Sequence, residues 1–507
     1  MEKKSRKFQS VKNALFFLLN FFLSAILSVF IRKFFINILN IEFLGLDGLF
    51  SNIFMLFSLA DMGVSTVISY QLYRELANDN KEEVNMLMNI YGYIYLMIGI
   101  FISVCGIIIS VFLKKIIVTT SLSWKYVYFS YFIQLISTLS SYFLAYRRTI
   151  FFADQKNYIC VKIDTFFVVI RNVLQLFAIL IFKSYILYAF IVLFINIGSN
   201  LIIYIKSNKD YTFLKKKIPT INEIKERNIF KDMKNFLIHK ITNLIYFNTD
   251  NIIITHFLGL NIVGIVGNYS LISTKITQVL TGPIQSMVPS IGNMVYSEDN
   301  EKSYSIYKIM DMYYFFAGAF LACTIITCMQ PFIKLFFGEE YLLSLGYIVC
   351  LSISGNLALQ FENAGNFRST FGKYEKDRIY MILASVINLV ISIVLVNKIG
   401  IIGVLLGTII GFLFTIYGRI RIVFKYILKQ SIFKYILKHV LLSVITVFEI
   451  FFIYKITKEI VINNWFMLVL RFLASTSLLI ILQFLMFLPL KETRFLLKKN
   501  KEKISKK

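Results

Sequence analysis

Charge and proline are scarce in this chain of 507 residues. Charged residues make up 16% of the sequence and 5 residues are proline, whereas 57% are hydrophobic. The mean hydropathy is +0.70. A soluble globular domain needs much more polar surface than this composition supplies. The composition therefore excludes a soluble globular protein and indicates a chain whose solvent is the lipid bilayer.

Cysteine and histidine are also few, with 5 and 3 residues. The cysteines all fall within apolar segments, without a C-x-x-C spacing and without a histidine beside them, so we expect no disulfide and no metal site. His256 and His439 have no partner visible in the sequence. No P-loop, G-x-S-x-G or H-E-x-x-H motif occurs, so the sequence predicts neither ATP hydrolysis nor another enzymatic activity, and no cofactor.

Long hydrophobic runs occupy almost the whole chain. The run from Asn89 to Leu113 holds 25 residues and no charge. At about 1.5 Å per residue, a helix of this length crosses a hydrocarbon core of roughly 30 Å. The sequence therefore predicts an all-α polytopic membrane protein with about 14 transmembrane helices. Their centres are predicted near Ser24, Phe57, Gly99, Leu135, Val169, Leu193, Phe247, Ser273, Phe320, Ser352, Asn388, Gly407, Val447 and Ile480.

The basic residues predict which side of the membrane each connection faces. With an even number of spans, both termini lie on the same side. The connections on that side hold about 39 of the 54 Lys and Arg residues, an excess that is typical of cytoplasmic segments. We therefore predict that both termini are cytoplasmic. This distribution accounts for the formal charge of +26, so no nucleic acid is expected as a partner.

The longest connection, residues 206–235, is rich in basic residues and divides the chain into two lobes of six spans. Residues 77–88 combine acidic and apolar side chains at helical spacing, which favours a short helix along the cytoplasmic surface. The predicted organisation is an N-terminal lobe at 1–205, a cytoplasmic basic linker at 206–235, a C-terminal lobe at 236–425, two additional helices at 426–490 and a cytoplasmic basic tail at 491–507.

Short matches between the two halves support two related lobes. They are FLGL at Phe43–Leu46 and Phe257–Leu260, Asn80 with Asn300, and Arg148 with Arg368. The last two pairs have the same offset along the chain, and the offset of the FLGL pair is slightly shorter. Parallel repeats of this kind predict pseudo-symmetric lobes related by an axis normal to the membrane, with a substrate path between them.

Charged and amide side chains also occur inside the predicted spans. A charge there costs roughly 2.5–3.5 kcal/mol unless it has a partner or faces water. Asp250, about fourteen residues into the seventh predicted helix and near mid-membrane, is the strongest single-site signal. Asp47 and Asp61 share one face of the second span with three serines, so that face is predicted to meet water or a cation. The candidates for the substrate cavity are Arg32, Asn20, Asp61, Asp250, Asn243, Asn268, Lys275, Gln360 and Asn363.

Other polar residues of the spans have structural interpretations. Asp164 and Arg171, seven residues apart, are predicted to form a structural ion pair inside the first lobe. Arg32 has an alternative position at the outer membrane interface, where its long side chain would reach water. Gln360 and Asn363 have an alternative role in hydrogen bonding between helices.

Three blocks of the sequence resemble a known transporter family. They are IRKFFINILNIEFLGLDGLFSNIFMLFSLADMGVSTVISYQLYRELANDNKEEVNMLMNIY at 31–91, NTDNIIITHFLGLNIVGIVGNYSLI at 248–272 and FGEEYLLS at 337–344. The blocks resemble the polysaccharide flippases (Wzx-like) of the multidrug/oligosaccharidyl-lipid/polysaccharide (MOP) exporter superfamily. The resemblance implies the MATE-like fold, with two six-helix lobes around a central cavity and two further helices. It also implies that the cation meeting a diphosphate is Arg32 and that the mid-membrane carboxylate of the second lobe is Asp250.

The resemblance further implies a function. The protein would translocate undecaprenyl-diphosphate-linked oligosaccharide repeat units from the cytoplasmic to the outer leaflet of a bacterial inner or plasma membrane, by alternating access, for capsule, O-antigen or exopolysaccharide synthesis. Because a cavity with cations and carboxylates suits a two-state cycle, Asp61 and Asp250 are candidates for binding a coupling ion, H⁺ or Na⁺. The expected partners are the lipid-linked oligosaccharide, membrane lipids, and glycan polymerases and glycosyltransferases of the same pathway. Two alternatives stay open: a cation-coupled multidrug antiporter of the same superfamily, and a membrane glycan-assembly enzyme or scaffold.

Overall fold

The computed structural model describes residues 27–57, 64–154, 156–227, 249–285, 300–370 and 374–487. Every regular element within these ranges is helical. Nine of the described helices are long and apolar enough to span a membrane. These observations confirm the predicted all-α polytopic class. The centres of two predicted spans, Ser24 and Phe247, lie outside the described residues.

Eleven α-helices lie in the described residues before position 286. The first, α1, covers 27–38. The others are α2 (Ile41–Phe57), α3 (Val64–Ala77), α4 (Lys81–Ile116), α5 (Trp124–Leu144), α6 (Arg148–Ala153), α7 (Asn157–Leu180), α8 (Tyr185–Asp210), α9 (Ile221–Glu226), α10 (Asp250–Leu258) and α11 (Leu260–Gln285).

The remaining described residues form the helices of the C-terminal half. Helix α12 (Asn300–Thr324) continues through a π-helical turn (Ile325–Met329) into α13 (Gln330–Phe336). The helices that follow are α14 (Leu345–Gln360), α15 (Glu362–Thr370), α16 (Arg378–Ile399), α17 (Ile401–Ile422), α18 (Ile432–Thr457) and α19 (Trp465–Phe487).

The start of α4 is fixed by a side-chain cap. The Asn80 Oδ1 atom accepts a hydrogen bond from the backbone N–H of Glu83 at 3.2 Å. Because α4 then runs unbroken from Lys81, residues 77–88 do not form a separate surface helix, and that prediction was wrong. Glu82 and Glu83 occupy the first turn of a long apolar helix, where negative charge is favoured by the helix dipole.

The helix starts repeat between the two halves of the chain. The starts of α4 and α12 are separated by nearly the same number of residues as Asn80 and Asn300. The starts of α7 and α16 have nearly the same separation. The FLGL motif does not follow this repeat, because Gly45 lies inside α2, whereas Gly259 follows α10 with a φ of 87°. Glycine adopts such a positive φ without steric cost, so the turn between α10 and α11 depends on Gly259.

The chain divides into two compact units, Met1–Gly267 and Asn268–Lys507. The division falls after the linker predicted at 206–235, because α10 packs against α2 in the first unit. Gly45 of α2 permits a close approach of the backbone at the start of α11, since a Cβ atom at this position would lie 2.2 Å from the carbonyl oxygen of Leu260. The two six-span lobes stay a prediction.

Aromatic side chains form part of the core in each unit. In the first unit, the buried Tyr131 ring packs edge-on against Phe50 at 5.2 Å, and its hydroxyl donates to the carbonyl oxygen of Gly106 at 2.7 Å. In the second unit, the buried Tyr307 ring packs edge-on against Phe367 at 4.9 Å. Such rings bury a large apolar area while the hydroxyl group keeps a hydrogen-bond partner.

Candidate functional site

A cavity of about 660 Å³, here called the polar cavity, lies within the first unit among α2, α4, α5 and α8. The aromatic rings of Tyr95, Tyr142 and Tyr188 form part of its wall. The hydroxyl and amide side chains that line it are Ser51, Gln134, Ser137, Thr138, Ser141 and Asn196. Hydroxyl and amide groups both donate and accept hydrogen bonds, so this wall suits a ligand with many hydroxyl groups.

Helix α5 supplies most of this polar wall. Gln134, Ser137, Thr138 and Ser141 are spaced i, i+3, i+4 and i+7, which places them on one face of the helix. Ser137 is held there by Asn196 of α8, whose Nδ2 atom donates to the serine hydroxyl at 2.8 Å. The sequence analysis missed this stripe, although its helical spacing is visible in the sequence.

Asp47 of α2 is the carboxylate of the polar cavity. Its Oδ1 atom accepts hydrogen bonds from Gln134 Nε2 at 2.8 Å and from the Tyr185 hydroxyl at 3.0 Å. These donors fix the carboxylate in the wall and partly replace the water that a charge needs. The predicted polar face of the second span therefore meets the cavity at Asp47, whereas Asp61 of the same face lies outside the described residues.

A second cavity of about 310 Å³, here called the cationic cavity, adjoins the polar cavity. The two cavities share Ser141 and Asn196 in their walls. The charged groups that line the cationic cavity are two guanidinium groups, Arg148 and Arg171, and one carboxylate, Asp164. Together the two cavities therefore offer hydroxyl and amide groups at one end and an excess of positive charge at the other.

Asp164 binds Arg148 rather than the predicted Arg171. The two Nη atoms of Arg148 donate to the Asp164 carboxylate at 2.6 and 2.8 Å, and its Nε atom donates to Asn200 at 2.9 Å. Arg148 makes this bidentate contact from the first residue of α6, which follows α5 after a single 3₁₀ turn. This turn presents Arg148 to Asp164 on α7. Arg171 forms no ion pair among the described residues and faces the cationic cavity.

Arg32, the predicted diphosphate ligand, lies on α1 and contacts the start of α11. Its Nη2 atom donates to the carbonyl oxygen of Gly264 at 3.0 Å. Gly267 leaves room for the guanidinium group, since a Cβ atom there would lie 2.4 Å from Nη2. Arg32 also interacts electrostatically with Asp47 and Tyr188, which line the polar cavity. The structure therefore places Arg32 among partly buried groups of the first unit.

The other predicted cavity residues lie on α10 and α11, on helices of the second unit, or outside the described residues. Asn20, Asp61 and Asn243 lie outside the described residues. Asp250 is the first residue of α10 and follows a bend at Thr249, so it occupies a helix start and not the interior of one continuous helix. The free N–H groups of a first helical turn favour a carboxylate at that position. In the second unit, Asn268 is fully buried and Lys275 is half-buried on α11.

Gln360 and Asn363 contact neighbouring helices of the second unit. Gln360 Nε2 lies 2.9 Å from His439 Nδ1, and Asn363 Nδ2 donates to the carbonyl oxygen of Tyr307 at 3.0 Å. These contacts favour the alternative interpretation, in which the amides hydrogen-bond adjacent helices. His439 does have partners, because its Nε2 atom also lies 2.9 Å from Asp311 Oδ2.

Asp311 is the centre of a buried polar network that sequence reasoning missed. Besides its contact with His439, its carboxylate accepts a hydrogen bond from the Tyr435 hydroxyl at 2.7 Å. The Tyr307 hydroxyl donates in turn to that of Tyr435 at 3.2 Å. Asp311 and His439 are 6% and 2% exposed, so the network that joins α12 to α18 is largely shielded from bulk water. Within the described ranges, no cluster of His, Cys, Asp or Glu could hold a metal ion.

Comparisons with known proteins address the fold. No family model and no curated protein matches the sequence of this chain. Solved structures do match. The lipid II flippase MurJ in an inward closed conformation gives a TM-score of 0.68 at 15% identity, over 93% of this chain and 99% of that chain.

Transporters of the MATE family also match. An inward-facing multidrug resistance MATE transporter of the MOP superfamily gives a TM-score of 0.61 at 15% identity, over 79% of this chain and 94% of that chain. A mutant of the Vibrio cholerae MATE transporter VcmN gives 0.56 at 14% identity, over 81% of this chain and 95% of that chain. The protein is therefore an all-α polytopic membrane protein with the fold of MOP-superfamily transporters and flippases.

Proposed function

We propose that this protein translocates undecaprenyl-diphosphate-linked oligosaccharides from the cytoplasmic to the outer leaflet of a bacterial inner or plasma membrane. The pathway would be the synthesis of capsule, O-antigen or exopolysaccharide. The observation that carries the proposal is the shared wall of the polar cavity and the cationic cavity in the first unit. The likeness to a lipid II flippase supports a lipid-linked substrate.

The two cavities match the two polar parts of such a substrate. Sugar hydroxyl groups exchange hydrogen bonds with the serine, threonine and amide side chains of the polar cavity, and sugar rings pack against its tyrosines. A diphosphate requires cations, and the planar guanidinium of Arg171 suits two phosphate oxygens at once. The prenyl chain stays in the lipid, because a hydrocarbon chain makes no favourable interaction with polar side chains.

A cation gradient would supply the direction of transport. Asp47 lines the polar cavity, and Asp61 and Asp250 are the candidates that the sequence supplies. A carboxylate that binds H⁺ or Na⁺ in one conformation and releases it in the other couples the ion to the conformational cycle. Transport that continues unchanged after both gradients are collapsed would remove the coupling from this proposal.

The proposed setting is a pathway in which glycosyltransferases supply the lipid-linked substrate and a glycan polymerase consumes it. Both termini of the protein would be cytoplasmic, as the distribution of basic residues predicts. Membrane lipids would be its other partners. No enzymatic activity is proposed, and the structural neighbours are transporters and flippases.

The test is transbilayer movement of a lipid-linked oligosaccharide in proteoliposomes, measured as protection from an external probe. Arg171→Ala should slow the movement about tenfold or more, because a charge-assisted hydrogen bond contributes about 1.5–3 kcal/mol. Lys162→Ala is the matched control, since Lys162 lies exposed on the same helix and does not line either cavity. Equal rates in the two variants would contradict the role of Arg171.

A cation-coupled multidrug antiporter is the second candidate, and Asp47 favours it. A carboxylate among aromatic rings is a good binding site for an organic cation. Asp47→Asn separates the two functions, because the amide oxygen still accepts hydrogen bonds while the charge is lost. Cation efflux abolished in this variant, with no oligosaccharide movement in the wild type, would support the antiporter.

A further inference from the structure

A groove outside the two cavities has a different character. Here called the lysine groove, it has a volume of about 680 Å³ and lies where the segment 214–220 packs beside α4, α5 and α8. Asn89 of α4 holds the segment in place, because its Nδ2 atom donates to the carbonyl oxygen of Lys215 at 2.8 Å. The groove belongs to the first unit and shares no lining residue with the polar or the cationic cavity.

One part of the lysine groove is apolar and exposed. Leu96, Phe143 and Leu201 line it and are 44%, 41% and 44% exposed. They lie on helices that are apolar enough to span the membrane. Side chains of this kind, on a lipid-facing surface, suit the hydrocarbon chain of a lipid.

The other part of the groove carries positive charge. The rings of Tyr146 and Tyr204 line it, and the Arg147 guanidinium lies 5.3 and 5.2 Å from their centroids. Arg147 is 2% exposed, forms no ion pair among the described residues, and its Nη1 atom has no hydrogen-bond partner among them. A buried guanidinium without an anion is costly, so this position favours a negative ligand nearby.

Two lysines add to this charge at the edge of the groove. Lys216 is exposed and within hydrogen-bonding reach of the Tyr204 side chain. Lys217 is bound to Glu223 at 2.8 Å. The Lys217 ammonium and the backbone N–H of Thr220 lower the pKa of the Glu223 carboxyl to about 2, so Glu223 is ionised at neutral pH. The described groups at the groove therefore carry an excess of positive charge even after this pair is counted.

We infer that the lysine groove is a binding site for one anionic phospholipid. The phosphate would lie at Lys216, near the positive charge of Arg147, and an acyl chain would lie along Leu96, Phe143 and Leu201. The combination of an open apolar wall with a cationic end fits an amphiphile with a negative headgroup. The basic residues also predict that segment 206–235 is cytoplasmic, which places the site in the leaflet where anionic headgroups attract basic segments. This inference is independent of the transported substrate.

The experiment is native mass spectrometry of the full-length protein with equal amounts of phosphatidylglycerol and phosphatidylcholine. We expect retention of one phosphatidylglycerol in preference to phosphatidylcholine. Lys216→Ala should lower this retention about fivefold, the equivalent of about 1 kcal/mol per lysine near the headgroup. Glu223→Gln should raise it, because Lys217 is then released from its ion pair. Lys209→Ala is the matched control, since this lysine is exposed on α8 and does not line the groove.

Three results would overturn the inference. The first is equal retention of the two lipids by the wild type. The second is the same retention in Lys216→Ala and Lys209→Ala. The third is displacement of phosphatidylglycerol by an equal amount of farnesyl diphosphate, which would assign the groove to a prenyl diphosphate instead. Because Lys216 and Lys209 are exposed, their substitution leaves the packed interior unchanged, and each variant gives an interpretable result.

Discussion

Some helix starts repeat between the two halves of the chain, but the two units use their polar residues differently. In the first unit, Asp47 and Arg171 face cavities of about 660 and 310 Å³. In the second unit, Asp311 is 6% exposed and bound by His439 and Tyr435, and a cavity of only about 10 Å³ lies beside it. The polar residues of the first unit therefore line open cavities, whereas the Asp311 network of the second unit is closed.

The arginines of the repeat show the same contrast. Arg148 and Arg368 are paired by the repeat in the sequence, and each binds an aspartate of its own unit. The side chains of Arg148 and Asp164 are 29% and 40% exposed, whereas those of Arg368 and Asp377 are 10% and 1% exposed. The first pair is therefore part of a cavity wall, and the second pair lies in the interior of its unit.

The largest loss of stability is expected when the central carboxylate of the buried network is removed. Asp311→Ala leaves His439 and the Tyr435 hydroxyl without their acceptor in the interior. Breaking a buried charged contact of this kind costs about 3–5 kcal/mol of unfolding free energy. Asp47→Ala, in the open site of the first unit, should cost about 1 kcal/mol, because water can take the place of the carboxylate. Denaturant unfolding of both variants in the same detergent measures the difference, and equal losses would contradict the comparison.

The matched substitution of the two repeated arginines should give a smaller difference. Arg368→Ala leaves the Asp377 carboxylate buried without its guanidinium and should cost about 3 kcal/mol. Arg148→Ala should cost about 1 kcal/mol, because the Asp164 carboxylate keeps access to water. Thermal unfolding of the two variants checks this order of stability losses. A larger loss in Arg148→Ala than in Arg368→Ala would contradict it.

The smallest perturbation tests water access directly. Ser141 lines both cavities of the first unit, whereas Ser352 of the second unit is 5% exposed and donates to the carbonyl oxygen of Ala322. In the wild-type background, Ser141→Cys should react quickly with a water-soluble maleimide. Ser352→Cys should react slowly, because its sulfur has no path to water. Similar labelling rates would show that the two units do not differ in access.

The fold could be predicted largely from the sequence, because a membrane demands long uncharged helices. The run from Asn89 to Leu113 is found inside α4. The correspondence of Asn80 with Asn300 also follows the repeat of helix starts. Helix ends were less predictable: the cap at Asn80 joins the acidic segment 77–88 to a long helix, although its composition resembles a surface helix.

The candidate site could be predicted only where its signal is local. The polar face that contains Asp47 is visible at helical spacing, and so is the stripe from Gln134 to Ser141 on α5. The choice of Arg148 over Arg171 as the partner of Asp164 depends on the 3₁₀ turn before α6, which helical periodicity does not reveal.

Contacts between distant segments could not be predicted from the sequence, for the same reason. Asp311 and His439 are separated by 128 residues along the chain. A pattern of period 3.6 describes one helix at a time and carries no information about which helix packs against it. The network therefore emerges only from the packing of α12 against α18.

The central claim is that the polar and cationic cavities of the first unit bind the headgroup of a lipid-linked oligosaccharide. The most direct measurement is a cryo-EM structure of the protein in a lipid nanodisc with such a substrate bound. The account predicts density for sugars beside Gln134 and Ser137, and density for the diphosphate within hydrogen-bonding distance of Arg171. Headgroup density that contacts only residues of the second unit, with both cavities of the first unit empty, would contradict it.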